Sequence, residues 1–311
     1  MDFSFSEEQR LLRESVRTLM DRHAPPDMVA RHDRERLYPY ELHKAWAEAG
    51  LIALPFSEKH GGLGGSVIDM AIVAEEIAYT SADFFMAYAG NVFCGLNIER
   101  KGTEEQKAEF LPRLITGDLR MAICISEADA GSDVGAMRTV ARKDGDVWRV
   151  NGHKLWCTGA GAKNTLLSVY LKTDTTVHHS KGMSLFLIDN DAPGVDMRKL
   201  DMLGRGATGT YEIRFDEVAV TPDRIVGGVN GGWDCILAGL QVERITSAAG
   251  NCGAARAVVD LAANYARERK QFGRPIGSNQ AIAHMLADMR TEVEAARMLM
   301  WRAAWKVAQG E

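Results

Sequence analysis

The sequence predicts an α+β protein in three consecutive segments: an N-terminal helical domain over 1–120, a middle antiparallel β-barrel-like domain over 121–230, and a C-terminal helical bundle over 231–311. Three observations predict this order. Apolar residues recur at helical spacing in the first 120 residues, behind recognisable capping signals. From Met121 the texture becomes short apolar or alternating runs separated by turn dipeptides. From about Trp233 the helical spacing returns and persists.

Taken in order, Ser6 to Gln9 spells a capping box ahead of Leu11, Leu12, Val16 and Leu19, and Pro25-Pro26 ends that run. A helix is expected over about 41–49, with Gly50 just past its end. Gly61–Gly65 reads as a flexible loop, and two apolar helices follow over about 66–80 and 84–99. Thr103 to Gln106 is a second capping box, opening a helix to about 115. Strand-length runs then follow one another, and Asp144-Gly145 and Asn151-Gly152 read as hairpin turns. No helical run separates the strands, so the pairing is expected to be antiparallel. Helices are expected over about 233–269 and 279–308, with Gly273-Arg274-Pro275 as the break between them. Leu286, Met289, Val293 and Leu299 give the last helix an apolar face that needs partners.

Composition narrows the function. A net charge of −5 predicts no broad attraction to nucleic acid or to an anionic membrane. No uncharged apolar run approaches the ~18–20 residues that cross a bilayer, so no integral membrane segment is expected. Five cysteines with no metal-ligand spacing fit reduced thiols in a cytoplasmic protein. Walker, nucleophile-elbow and zinc-hydrolase patterns are missing.

Several motifs carry a chemical reading beside a bland one. Gly204, Gly206 and Gly209 spell G-x-G-x-x-G, but a strand follows instead of a helix, which disfavours dinucleotide binding. The run from Ile123 through Ser126 and Glu127 to Gly131, Ser132 and Asp133 leads a strand into a turn able to offer N–H groups and hydroxyls, or simply to close Asx-type bonds. Trp156 and Thr158 on one strand could stack and hydrogen-bond a planar heteroaromatic ring, or Trp156 could pack on a helix. Glu243 and Arg244 lie among apolar and small residues of the long helix. A carboxylate in such surroundings can serve as a base, or as half of a structural ion pair. Arg267 to Lys270 is either a solvated helix end or a phosphate clamp.

Together and in this order, YPYELHKAWAEAGL, PFSEKHGGLGG, ISEADAGSDVGAMRT, VNGHKLWCTGA, ERKQFGRPIGSNQAI and LADM resemble the acyl-CoA dehydrogenase family over essentially the whole chain. The resemblance implies FAD, held by Ile123, Ile125, Ser126, Gly131, Ser132, Trp156, Cys157 and Thr158, with Arg269, Gln271, Phe272 and Gln280 reaching the FAD of a neighbouring subunit. It implies an acyl-CoA substrate contacted by Ser132, Gln241 and Arg244, and, as the base of an α,β-desaturation, either Glu243, in the Gln-x-Glu-Arg context of the isovaleryl-CoA dehydrogenase branch, or a glutamate beyond residue 311, where most members carry it. It further implies an electron-transferring flavoprotein as partner and a dimer of dimers. Glu127-Ala128 departs from the family's usual Glu-Pro, and the resemblance implies further helices beyond residue 311, so the chain reads as a C-terminally truncated member. Two competing functions remain open at this level: an enoyl-CoA reductase of the crotonobetainyl-CoA type, and a noncatalytic acyl-CoA-binding paralogue.

Overall fold

The computed structural model describes residues 4–310. In chain order the helices α1 (Glu7–His23), α2 (Pro26–Glu35), α3 (Tyr40–Glu48), α4 (Val67–Thr80), α5 (Ala82–Lys101) and α6 (Glu104–Ile115) come first. The strands β1 (Arg120–Cys124), β2 (Val140–Asp144), β3 (Val147–Thr158) and β4 (Thr165–Lys172) follow. After a short helix α7 (His179–Gly182) come β5 (Met183–Asp189), β6 (Val195–Lys199), β7 (Thr210–Val220) and β8 (Ile225–Val226). The chain closes with α8 (Gly232–Glu268), the small strands β9 (Lys270–Gln271) and β10 (Arg274–Pro275), and α9 (Gln280–Ala308).

Local signals account for the starts of four helices. The capping boxes at Ser6/Gln9 and Thr103/Gln106 both form, each with N–H to side-chain bonds in the two directions. A third, Ser66/Asp69, opens α4 in the same way. Pro26 does not merely stop α1. It starts α2, which the sequence reading missed, because proline's fixed φ suits the first helical turn. The Gly61–Gly65 loop, expected to be flexible, is pinned at Gly62 N to Ser57 O (2.9 Å) and Gly64 N to Phe56 O (2.8 Å).

Packing divides the chain into two compact units that do not follow sequence order. One comprises residues 1–25, 65–85 and 244–311. Its α4 packs against α1 and α9, with Val16, Met20, Ile72, Ile77, Val293 and Met300 buried. Gly253 lets α8 approach α4 closely: a Cβ there would lie 2.1 Å from the Glu75 carbonyl oxygen. Beside that approach, two consecutive buried glutamates meet four arginines. Arg256 reaches Glu75 (2.5 Å) and Glu76 (2.9 Å), Arg297 reaches Glu75 (2.6 Å), and Arg13 and Arg17 reach Glu76 (2.8 and 2.6 Å). On α9, Val293 is buried while Leu299 is 66% exposed, so the expected apolar face is only partly covered.

The other unit comprises residues 26–64 and 86–243. Its sheet has eight strands in the order β6-β7-β3-β2-β4-β5-β8, with β1 paired to β4. The antiparallel expectation holds for most pairs. It fails twice at β4: β1 runs parallel to it from Arg120↔Thr165 to Cys124↔Val169, because the β2–β3 hairpin, rather than a helix, makes the crossover between them, and β2 meets it in parallel at Val140↔Lys172. Ala122, Cys124, Val150, Leu167, Val169, Phe186, Ile213 and Phe215 form the sheet's core. Asp144-Gly145 makes a hairpin turn as expected, with Gly145 at φ 60°. Asn151-Gly152 does not. It lies inside β3 at a register shift against β7, where Gly152 passes so close to Thr139 that a Cβ would sit 2.4 Å from its Oγ1. Among the described residues no helix is long and apolar enough to cross a membrane, and all five cysteines are free and buried.

Candidate active site

The end of β1 sets the site. Ala122 and Cys124 point into the sheet core, while Ile123 and Ile125 alternate with them and stay half-buried on the other side. Beyond Ser126 the chain makes a tight turn, closed by Glu127 N to Ala130 O (2.8 Å) and Ala130 N to Glu127 O (3.2 Å). Gly131 and Ser132 continue it and are exposed.

Strand β3 runs beside this turn and is bonded to it. The Leu155 N–H donates to Ser126 O at 2.9 Å. The register of β3 against β7 shifts between Lys154 and Cys157, and Trp156 takes the left-handed conformation there, φ 65°. A bulge of this kind re-aims one side chain at some backbone cost, and such strained residues cluster at functional sites. Its effect here is to send the Trp156 indole out of the fold, 53% exposed, while Lys154 and Cys157 on either side stay buried. Thr158 is half-buried beyond the bulge. Its hydroxyl lies 3.1 Å from that of Thr210 and accepts from Arg205 Nη1 at 3.2 Å. Arg205 belongs to the loop spelled by Gly204, Gly206 and Gly209, which leads into β7 and opens no helix. The dinucleotide reading of that loop fails on geometry.

Sequence reasoning missed the ion pair beneath the turn. Lys154 Nζ is fully buried and donates to Glu127 Oε1 (2.7 Å) and Ile125 O (2.9 Å). Glu127 also accepts from the main-chain N–H groups of Arg138 (2.6 Å) and Thr139 (3.0 Å). Burial pushes the Lys154 ammonium below its usual pKa, with Glu127 pulling the other way. Burial pushes the Glu127 carboxyl up, but Lys154 and the surrounding donors outweigh it and hold the group below the ordinary carboxylate range. The signal that could have found the pair was two charged residues set in otherwise apolar strand ends.

The remaining expected residues fall in different places. The Cys157 thiol is buried beside Cys124, so its side chain faces the core and any ligand contact would be through its main chain. Glu243 is half-buried on α8. Burial pushes the Cys94 thiol up to about 12 and the Tyr170 phenol well above its usual value, and the negative charge of Glu243 adds to both. Gln241 is exposed on the same helix, and so is Arg244, which already belongs to the other compact unit. In the other compact unit, Arg269, Gln271 and Phe272 sit on the β9–β10 hairpin, whose tip Phe272 is 99% exposed at φ 52°, and Gln280 begins α9. A recess of about 900 Å³ opens on the outer face of β3, β6 and β7, lined by His153, Arg198, Glu212 and Arg214 together with the 127–129 turn. It borders the site through that turn but is not lined by Ser126, Trp156 or Thr158.

An exposed indole face, a nearby hydroxyl and an outward-facing turn make a platform for a planar heteroaromatic group. Among the described residues, neither the main-chain N–H nor the hydroxyl of Ser126 has a hydrogen-bond partner, which leaves donors for such a ring edge. These features suit a flavin, and the fold defines a flavoprotein oxidoreductase of helix–sheet–helix order. The chain belongs to the acyl-CoA dehydrogenase family, whose members use FAD: the family's N-terminal domain profile matches residues 6–118, its middle domain profile 122–218 and its C-terminal domain profile 230–311. The C-terminal domain is therefore represented in the chain, and the expectation that this portion is missing is corrected to that extent. The chain is 36% identical over 301 residues to a mitochondrial 2-methylacyl-CoA dehydrogenase of Solanum tuberosum, covering 95% of this chain and 72% of the relative. It is 34% identical over 310 residues to a 3-(aryl)acrylate reductase of Clostridium sporogenes, covering 99% and 81%. The solved structure of butyryl-CoA dehydrogenase from Megasphaera elsdenii superposes with a TM-score of 0.93 at 30% identity, covering 100% of this chain and 82% of that one.

Proposed function

We propose that the chain desaturates an acyl-CoA thioester between its α and β carbons. The observation that carries this reading is the Leu155–Ser126 hydrogen bond, which sets the outward indole of Trp156 beside the Ser126 turn. FAD, when bound, supplies the acceptor for the hydride from the β carbon. Trp156 stacks on the ring system, and Ser126 and Thr158 donate to its edge. Ile123 and Ile125 give that edge an apolar, water-excluding border, and Gly131 and Cys157 contribute main chain. Ser132 and Gln241 orient the thioester, and the Glu243 carboxylate takes the α-proton, a role that its half-buried position on α8 supports. The exposed hairpin residues Arg269, Gln271 and Phe272, with Gln280, suit contact with the FAD of a second subunit in a homo-oligomer. Electrons leave to an electron-transferring flavoprotein, a reading supported by a solved structure of the same fold that is described as an electron transferring flavoprotein of Acidaminococcus fermentans.

A second reading, reduction of an enoyl thioester, is favoured by the 34% identity to the aryl-acrylate reductase. The same residues would then act in reverse, with Glu243 delivering the proton. The deciding experiment is optical. Purified protein should carry flavin absorbance that bleaches anaerobically on adding a saturated acyl-CoA. Re-oxidation by enoyl-CoA with no bleaching by the saturated thioester would favour the reductase. A colourless protein that still binds CoA thioesters would overturn both readings.

A further inference from the structure

A buried ammonium with a single carboxylate partner is an expensive feature, since each desolvated ion costs several kcal/mol unless its partners are well placed. Lys154 shows no solvent-exposed side-chain surface, and its two oxygen partners lie on consecutive parts of one segment: Ile125 O at 2.9 Å and Glu127 Oε1 at 2.7 Å. Glu127 is itself tied to the main chain at Arg138 and Thr139. The pair thus clamps the residue before Ser126 and the residue after it.

Peptide geometry gives the clamp a direction. Ile125 C=O and Ser126 N–H belong to one peptide unit, and no cis peptide bond occurs in the described chain. In a trans unit the two groups point to opposite sides. With the carbonyl drawn inward to Lys154, the Ser126 N–H faces outward, and it has no partner among the described residues. The other side of the same residue is held too, because Ser126 O accepts from Leu155 N–H in the bulge that carries Trp156.

We infer that Lys154, locked on Glu127, is a positioning residue that turns the Ile125–Ser126 peptide so that the Ser126 N–H is a fixed donor to the edge of a bound flavin. The inference rests on the reading that this turn and Trp156 hold FAD. A donor held in place before the ring gains electrons stabilises the reduced form more than the oxidised one, so it raises the reduction potential as well as the affinity.

The test compares the full-length wild-type chain, Lys154→Met, and the double variant Lys154→Met/Glu127→Gln, which removes both charges. For each we would measure the thermal unfolding curve, the FAD dissociation constant and the two-electron midpoint potential of the bound flavin. The expected result for the folded variants is at least tenfold weaker FAD binding, and a tenfold less favourable reduction equilibrium, a drop of about 30 mV. A pair that served only to hold the fold would lower the melting temperature and leave the potential where it was, and that outcome overturns the proposal. If neither variant folds, hydrogen exchange at the wild-type Ser126 amide decides: it should be fast without FAD and slowed with it, and equal rates overturn the proposal. A wild-type chain that retains no FAD sinks the underlying reading and this inference with it. Retained FAD with unmoved potential sinks this inference alone.

Discussion

The main-chain N–H of Leu155 donates to the carbonyl oxygen of Ser126 across 2.9 Å, and this one bond joins the end of β1 to the bulged part of β3. On one side of it stands a turn whose Ser126 N–H and hydroxyl have no partner among the described residues. On the other stands a tryptophan in a left-handed backbone conformation whose indole is turned to the outside.

Replacing Trp156 with Ala removes the stacking face and leaves the main chain free to keep its bulge. Aromatic stacking on a heterocyclic base is worth ~1–3 kcal/mol by alanine substitution, so FAD should bind roughly 5–150-fold more weakly. Fluorescence titration of the FAD-free protein would measure this. An unchanged dissociation constant would return Trp156 to a packing role.

Glu243→Gln preserves shape and removes the proton acceptor. The variant should keep its bound flavin yet lose at least a hundredfold of its exchange of substrate α-protons with solvent, the scale expected for a positioned general base. Deuterium uptake into an acyl-CoA, followed by NMR, is the measurement. Wild-type exchange in this variant would move the base elsewhere.

Arg256→Leu strips both buried glutamates of a shared partner. Arg256 and the two carboxylates are each at most 6% exposed, and Arg297 on Glu75 and Arg13 and Arg17 on Glu76 remain, so the loss is of charged hydrogen bonds in a dry place and not of all counter-charge. A hydrogen bond to a charged group contributes about 1.5–3 kcal/mol, which sets the scale of the expected loss. Urea unfolding of wild type and variant at neutral pH would show the loss as a lower midpoint with an unchanged slope.

Acid should weaken the clamp under the turn. The Glu127 carboxyl has a lower pKa folded than unfolded, because Lys154 and the main-chain donors outweigh its burial. Its contribution to stability is therefore complete above the unfolded carboxylate value of about 4.3 and is lost as pH falls through the folded one. The stability difference between wild type and Glu127→Gln should be large at neutral pH and shrink on acidification below that value. A difference independent of pH would show that the charge on Glu127 contributes nothing.

Much of this protein was legible in local sequence. Two capping boxes and the glycines at 145 and 273 punctuate elements within a few residues of themselves, so their meaning does not depend on distant chain. The turn at Ser126 and the pairing of Trp156 with Thr158 were visible as local patterns, while Ile123 and Ile125 entered only through the family resemblance. What reading along the chain could not supply were the non-local choices. Asn151-Gly152 has the composition of a hairpin, yet it became a bulge because β7 continues alongside it and Thr139 crowds it. The parallel pairing of β1 with β4 depends on where a strand more than 40 residues later settles, a difference visible in the register Arg120↔Thr165. The burial of Lys154 is decided in the same way. Its sequence neighbours would let it reach solvent, and only the tertiary meeting of β1, β2 and β3 encloses the ammonium and supplies Glu127 as its counter-charge. Local periodicity and capping, short-range in origin, determined the elements. Register, bulges and the pairing of buried charges are set by atoms far apart in sequence, and only the folded chain decided them.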